Sequence, residues 1–220
     1  MTSTPQLSLL ESRVVGVLVE KQHTVPDSYP LTLNALVSGC NQKTSRDPVI
    51  EAGEAEVQAA IDRLKSLSMV MESSGGRVMR YAHNAGKVLG IPPQSMALLA
   101  VLFLRGPQTP GELRINSERL HKFGDILSVQ AFLEELAERR DGALVRELPR
   151  QPGAREARWT HLLSGEPVVS QGSSPAADAD DRLTVSEIAT LRANVDRLEG
   201  EVGALRETVA RLCKELGITP

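Results

Sequence analysis

Stretches of helical spacing followed by a short alternating hairpin occur twice along this chain. Leu9, Leu10, Arg13, Val14, Val17 and Leu18 recur at the intervals of an amphipathic helix, with Ser8 as N-cap and Glu11 three residues later, so a helix is expected over about 8–21. Pro26 and Pro30 make His23–Pro30 a loop, Leu31–Cys40 reads as a second short helix, and polar 41–53 reads as another loop. A third helix is expected over 54–67, where Val57, Ile61 and Leu64 share one stripe. The period then shortens, and 69–73 and 77–83 flank Ser74, Gly75 and Gly76 as two strands around a tight turn.

The second pass keeps that order. Pro92 and Pro93 precede an apolar helix at about 93–104, ended by Arg105, Gly106 and Pro107. Thr109 caps a second helix with Pro110 at its first position, and Ser128 is taken as the cap of a third helix running to about Arg140. Residues 144–148 and 156–162 are the strands of a longer hairpin. Val57–Leu64 and Val129–Leu136 are similar octapeptides, and each copy ends in arginine, aromatic, any residue, histidine: Arg80–His83 and Arg158–His161. A lag of roughly 70–80 residues suits a small domain used twice rather than a solenoid unit.

The expected fold is therefore mainly α with small β-hairpin wings (α+β): two tandem winged-helix domains, at 1–84 and 85–164, then a flexible linker at 165–182 and a coiled-coil helix at 183–220. Ile188, Leu191, Val195, Leu198, Val202, Leu205, Val209, Leu212 and Leu216 alternate at intervals of three and four. With β-branched residues at most a positions and leucine at d, this seam favours a parallel two-stranded coiled coil and hence a homodimer. The alternative is a helix folding back onto its own domains, which Gly200 and Gly203 favour by weakening a zipper.

Composition narrows the function classes. No apolar run approaches 18 residues and the N-terminus lacks a signal-peptide pattern, so a cytoplasmic protein without a membrane span is expected. Cys40 and Cys213 offer neither a disulfide framework nor a metal quartet, and no catalytic triad, phosphate-binding glycine loop or carboxylate pair stands out. The expectation is a protein without catalytic residues, metal or cofactor. The 3% of aromatic residues argues against a stacking platform for single strands.

Charge does not by itself select nucleic acid. Lys and Arg number 19 against 18 Asp and Glu over residues 1–164, so a basic surface would have to be local. Neither third helix has the charge of a conventional base reader: the first carries Glu54, Glu56 and Asp62, the second Glu134, Glu135 and Glu138. Candidate phosphate ligands are Lys43 and Arg46 in the loop before the first third helix, Arg114 and Arg119 in the second domain, and Arg150 and Arg155 on its wing. His83 and His161, though repeated, read as packing or hydrogen-bonding residues closing a strand.

The stretches Asn41–Val49, Leu104–Arg114, Leu148–Gly153 and His161–Leu163 resemble the YceH family of uncharacterised bacterial proteins. The resemblance covers residues 8–164 and implies two tandem winged-helix domains, without a reaction, ligand or target. Residues 114–117 are less basic than the family pattern. The function expected is double-stranded DNA binding by a dimeric regulator; the alternative is a protein-interaction module whose acidic third helices face a partner.

Overall fold

The computed structural model describes residues 5–73, 78–151 and 153–165. Helix α1 (Leu9–Thr24) begins where expected: Glu11 N–H donates to Ser8 Oγ at 3.2 Å and Ser8 N–H to Glu11 Oε2 at 2.7 Å, a reciprocal capping box. Strand β1 (Leu31–Thr32) leads into α2 (Leu33–Cys40), whose first turn is capped by Thr32. Helix α3 (Glu54–Ser66) and the strands β2 (Val70–Ser73) and β3 (Arg80–His83) complete the first copy. All three strands form one antiparallel sheet in the order β1-β3-β2, with Leu31 and Glu72 both opposite Tyr81.

A short helix, α4 (Ala85–Leu89), joins the copies and ends at Gly90, whose φ of 62° is the left-handed geometry that glycine adopts without a Cβ clash. The second copy runs α5 (Pro93–Arg105), α6 (Pro110–Asn116), α7 (Ile126–Ala137), β4 (Val145–Glu147) and β5 (Trp159–His161). Here the strand before α6 shrinks to an isolated bridge between Gln108 and Trp159. The fold is α+β, with seven helices and two small antiparallel sheets among the described residues.

The repetition is structural in detail. Val57, Ala60, Ile61 and Leu64 of α3 and Val129, Leu133 and Leu136 of α7 are buried, so the repeated octapeptide is a repeated core stripe. Tyr81 and Trp159 are buried at matching hairpin positions, opposite Glu72 and Glu147.

One expectation is corrected at α1. An amphipathic stripe was expected, yet every residue from Glu11 to Val19 is buried. The reason is α5, likewise buried from Ser95 to Leu104, which packs on α1 in addition to α2 and α3. The approach requires Gly16, because a Cβ there would lie 2.9 Å from Leu104 Cγ and 3.2 Å from Phe103 Cβ. One apolar core consequently runs from Leu7 through both copies to Leu163.

Candidate nucleic-acid interface

The loop between α2 and α3 is closed by Asn41, whose side chain donates to Ala52 O at 2.9 Å and accepts from Ala52 N–H at 2.8 Å. Within it Arg46 turns inward. Its side chain is fully buried, pairs with Glu20 Oε2 at 2.7 Å and Oε1 at 3.2 Å, and donates to Gln42 Oε1 and the carbonyls of Gly39 and Ser45. Burial by itself would raise the Glu20 carboxyl, but hydrogen bonds and charge from Arg46, helped by Lys21, hold it below its ordinary value. Arg46 is therefore withdrawn as a phosphate ligand: every donor direction of its guanidinium points into the protein. Lys43 in the same loop is exposed.

Beside this pair lies a second buried guanidinium. Arg13 donates to Pro48 O at 2.7 Å and Cys40 O at 3.3 Å, while its Nε has no hydrogen-bond partner. Burial first, then the charge of Arg46, lower its pKa. Asp47 N–H donates to Leu104 O at 2.8 Å and Arg105 donates to Ser45 Oγ at 2.7 Å, so the loop is fastened to the end of α5. This cluster is a seam between the copies.

The repeated terminal pattern also has internal uses. Arg80 donates to Pro30 O at 2.7 Å and Ser28 O at 3.3 Å, and Arg158 donates to Pro107 O at 3.0 Å while pairing with Glu112 at 3.3 Å. Each arginine straps its hairpin to the loop before that copy's second helix. His83 Nε2 lies 2.5 Å from Gln22 Oε1 of α1, and His161 meets Phe103 of α5 edge-on with centroids 4.8 Å apart. Burial pushes both imidazoles down to about 4, with nearby His23 adding to the effect on His83.

Apart from Lys43, the candidate cations left on the surface lie on the second copy. Arg114, Arg119 and Lys122 are exposed along the C-terminal end of α6 and the turn into α7, and Arg114 and Lys122 line one depression with Ile115, Glu118 and Phe123. On the β4–β5 hairpin Arg150 and Arg155 are exposed, with Arg150 Nη1 donating to Arg155 O at 3.4 Å. Arg139 is committed elsewhere, donating to Leu89 O at 2.6 Å and Gly90 O at 3.3 Å at the end of α4. In the first copy the exposed Arg63 pairs with Glu11 at 2.9 Å, and Lys65 pairs with Glu72.

The start of α7 differs from the sequence expectation. Asp125, not Ser128, is the N-cap: Ser128 N–H donates to Asp125 Oδ1 at 2.7 Å, placing Ser128 in the third helical position. The helix gains Ile126 and Leu127, 42% and 72% exposed. Both were missed as surface residues; the Asp125-x-x-Ser128 spacing was the available signal. Ile115 on α6 is 68% exposed.

The arrangement joins two like units, and the same span carries the family relationship. The profile of the family described as "Protein of unknown function, DUF480" matches residues 7–154, well over half of the chain. The chain belongs to that family. A "UPF0502 protein" of Dechloromonas aromatica (strain RCB) is 60% identical over 213 residues, spanning 97% of this chain and 99% of the relative. Those of Paraburkholderia phytofirmans (strain DSM 17436 / LMG 22146 / PsJN) and Leptothrix cholodnii (strain ATCC 51168 / LMG 8142 / SP-6) are 56% and 55% identical, spanning 99% and 98% of this chain and 96% and 97% of the relatives. Among the described residues of this DUF480 chain no helix is long and apolar enough to cross a membrane, and no three His, Cys, Asp or Glu side chains are grouped to hold a metal ion. The heptad residues Ile188, Leu191, Val195, Leu198, Val202, Leu205, Val209 and Leu212 lie outside the described residues.

Proposed function

We propose that the chain is a cytoplasmic tandem winged-helix protein that binds double-stranded DNA through its second copy, as a regulator and without a reaction of its own. The observation that carries this reading is the exposed group Arg114, Arg119 and Lys122 at the α6–α7 turn, supplemented by Arg150 and Arg155 on the hairpin. Order and topology support the winged-helix assignment: three helices closed by an antiparallel hairpin, twice, with a first strand pairing to the hairpin in the first copy and a bridge in the second. The resemblance to the YceH family supports the same architecture.

Fluorescence anisotropy of the full chain with a mixed-sequence duplex tests the reading. If all five cations meet phosphate, log K falls against log salt with a slope of about −4 to −5. Charge reversal at Arg150 and Arg155 lowers affinity and flattens that slope by about 2. Absence of salt-dependent binding rejects the proposal.

The heptad pattern supports a homodimer, which sedimentation tests in the full chain: L198E/L205E is expected to convert a dimer into a monomer. A wild-type monomer, or a variant of unchanged mass, removes that part.

A second reading has its own observation. Glu54, Glu56 and Asp62 of α3 are exposed, an unfavourable face for DNA and a suitable one for a basic protein partner. A nuclease-insensitive partner recovered in stoichiometric amount, and lost in E54K/D62K, favours it.

A further inference from the structure

We infer that the first two turns of α7 read thymine methyl groups in the major groove, with Leu127 as the principal contact and Ile126 beside it. This rests on the DNA-binding reading above and names what that site recognises.

Because Asp125 caps the helix, Ile126 and Leu127 occupy its first two positions, Leu127 largely in water and Ile126 partly so. Leu127, at 72%, is the most exposed of the large apolar side chains described, and Ile115 at 68% follows it. Residues 127, 131, 134 and 138 share one face of α7 by helical spacing. Gln130 lies on the same side, so the first two turns of that face hold the uncharged Leu127, Gln130 and Ala131, and the carboxylates begin at Glu134. The uncharged span from Ile126 to Ala131 is about 9 Å at 1.5 Å per residue. The major groove is about 8.5 Å deep. A helix entering N-terminus first would therefore seat its uncharged turns against the bases, with the Asp125 carboxylate at its leading end engaged by Ser128 N–H, and leave Glu134, Glu135 and Glu138 outside.

Charge around these turns favours a polyanion. Arg114 and Lys122 line the depression that also holds Ile115, and Arg119 is exposed in the same turn. Two carboxylates share the site. Glu118 lines the depression with Lys122, while Asp125 accepts from Ser128 N–H at 2.7 Å; hydrogen bonds from Ser128, then the charge of Arg114, hold its carboxyl below the ordinary range. Among base edges in the major groove, the thymine methyl is the apolar contact for a leucine or isoleucine. Ile115, Ile126 and Leu127 are few side chains for an interface of about 800 Å² per partner, which makes a protein occupant the weaker fit.

The test uses the full chain and one A·T-rich mixed duplex synthesised in two forms, with thymine or with uracil at every thymine position. The substitution removes the methyl groups and leaves every hydrogen-bonding group in place. Anisotropy at about 100 mM KCl is expected to show the thymine form bound at least about fourfold more tightly, the value of one buried methyl. L127A is expected to lose most of that preference with an unchanged salt slope, and R114E/K122E to weaken binding to both. Equal wild-type affinity for the two forms, with the usual salt dependence, overturns the inference and leaves the DNA reading standing. Absence of salt-dependent binding to both forms removes the inference and the DNA reading together. A change of particle mass in light scattering for L127A, with DNA affinity and methyl preference intact, reassigns the face to protein docking.

Discussion

Acidification from pH 7 to pH 5 is expected to weaken the fold through His83 and His161. Both imidazoles sit against the first helix of their own copy, and burial lowers each from an ordinary value of 6.5 to about 4. The unfolded chain therefore binds more protons than the folded one over this interval, so stability falls as pH falls from about 6.5 towards 4 and is fully present above that window. Between pH 7 and pH 5 each histidine removes roughly 2 kcal/mol, and the pair roughly 3–4 kcal/mol, a large part of a typical domain's stability. Glu20 does not confound the measurement. Its carboxyl is held below 4.5, so its contribution is lost only on further acidification. Urea unfolding followed by circular dichroism at the two pH values, at constant ionic strength, measures the effect; H83Q/H161F is expected to remove most of it. A wild-type change under about 0.5 kcal/mol, or a double variant that retains the full loss, refutes the assignment.

Two further outcomes follow from the seam between the copies. E20A leaves the buried Arg46 guanidinium without its counter-charge and is expected to cost about 3–5 kcal/mol in urea unfolding at pH 7; a cost below 1 kcal/mol would show that Gln42 and the carbonyls suffice. G16V drives side-chain atoms into Leu104 and Phe103 and is expected to destabilise by about 1–3 kcal/mol or more, read as a lowered Tm, whereas L127A changes stability by less than about 0.5 kcal/mol.

Much of the local structure was legible because its causes are local. Ser8 with Glu11 and Thr109 with Glu112 fix two helix starts through side chains three residues apart. Strand β1 was absorbed into the second helix because two residues carry too little alternation to register; it exists as a strand because Leu31 and Thr32 pair with Tyr81 and Arg80. Helix α4, five residues joining the copies, was also too short to give a periodic signal. At α7 the cap is Asp125, three residues before the Ser128 expected from the sequence, and that offset hid the exposed turn that carries Leu127.

The candidate site was less legible because a cation's availability depends on partners far away along the chain. Arg46 is quenched by Glu20, 26 residues earlier, and Arg158 is engaged by Glu112, 46 residues earlier. Arg114, Arg119, Arg150 and Arg155 remained on the surface. Local composition alone ranked Arg46 beside them.

The amino-acid pattern by itself determined that a helix-and-hairpin unit occurs twice, where most elements begin, and which stripe of each third helix is apolar, since spacing, caps and glycine turns act within a few residues. Tertiary structure decided that α1 and α5 bury each other around Gly16, that Arg13 and Arg46 belong to the interior, and that the candidate cations left on the surface, Lys43 apart, lie on the second copy. Those outcomes depend on which distant groups meet, and burial and charge neutralisation are properties of that meeting.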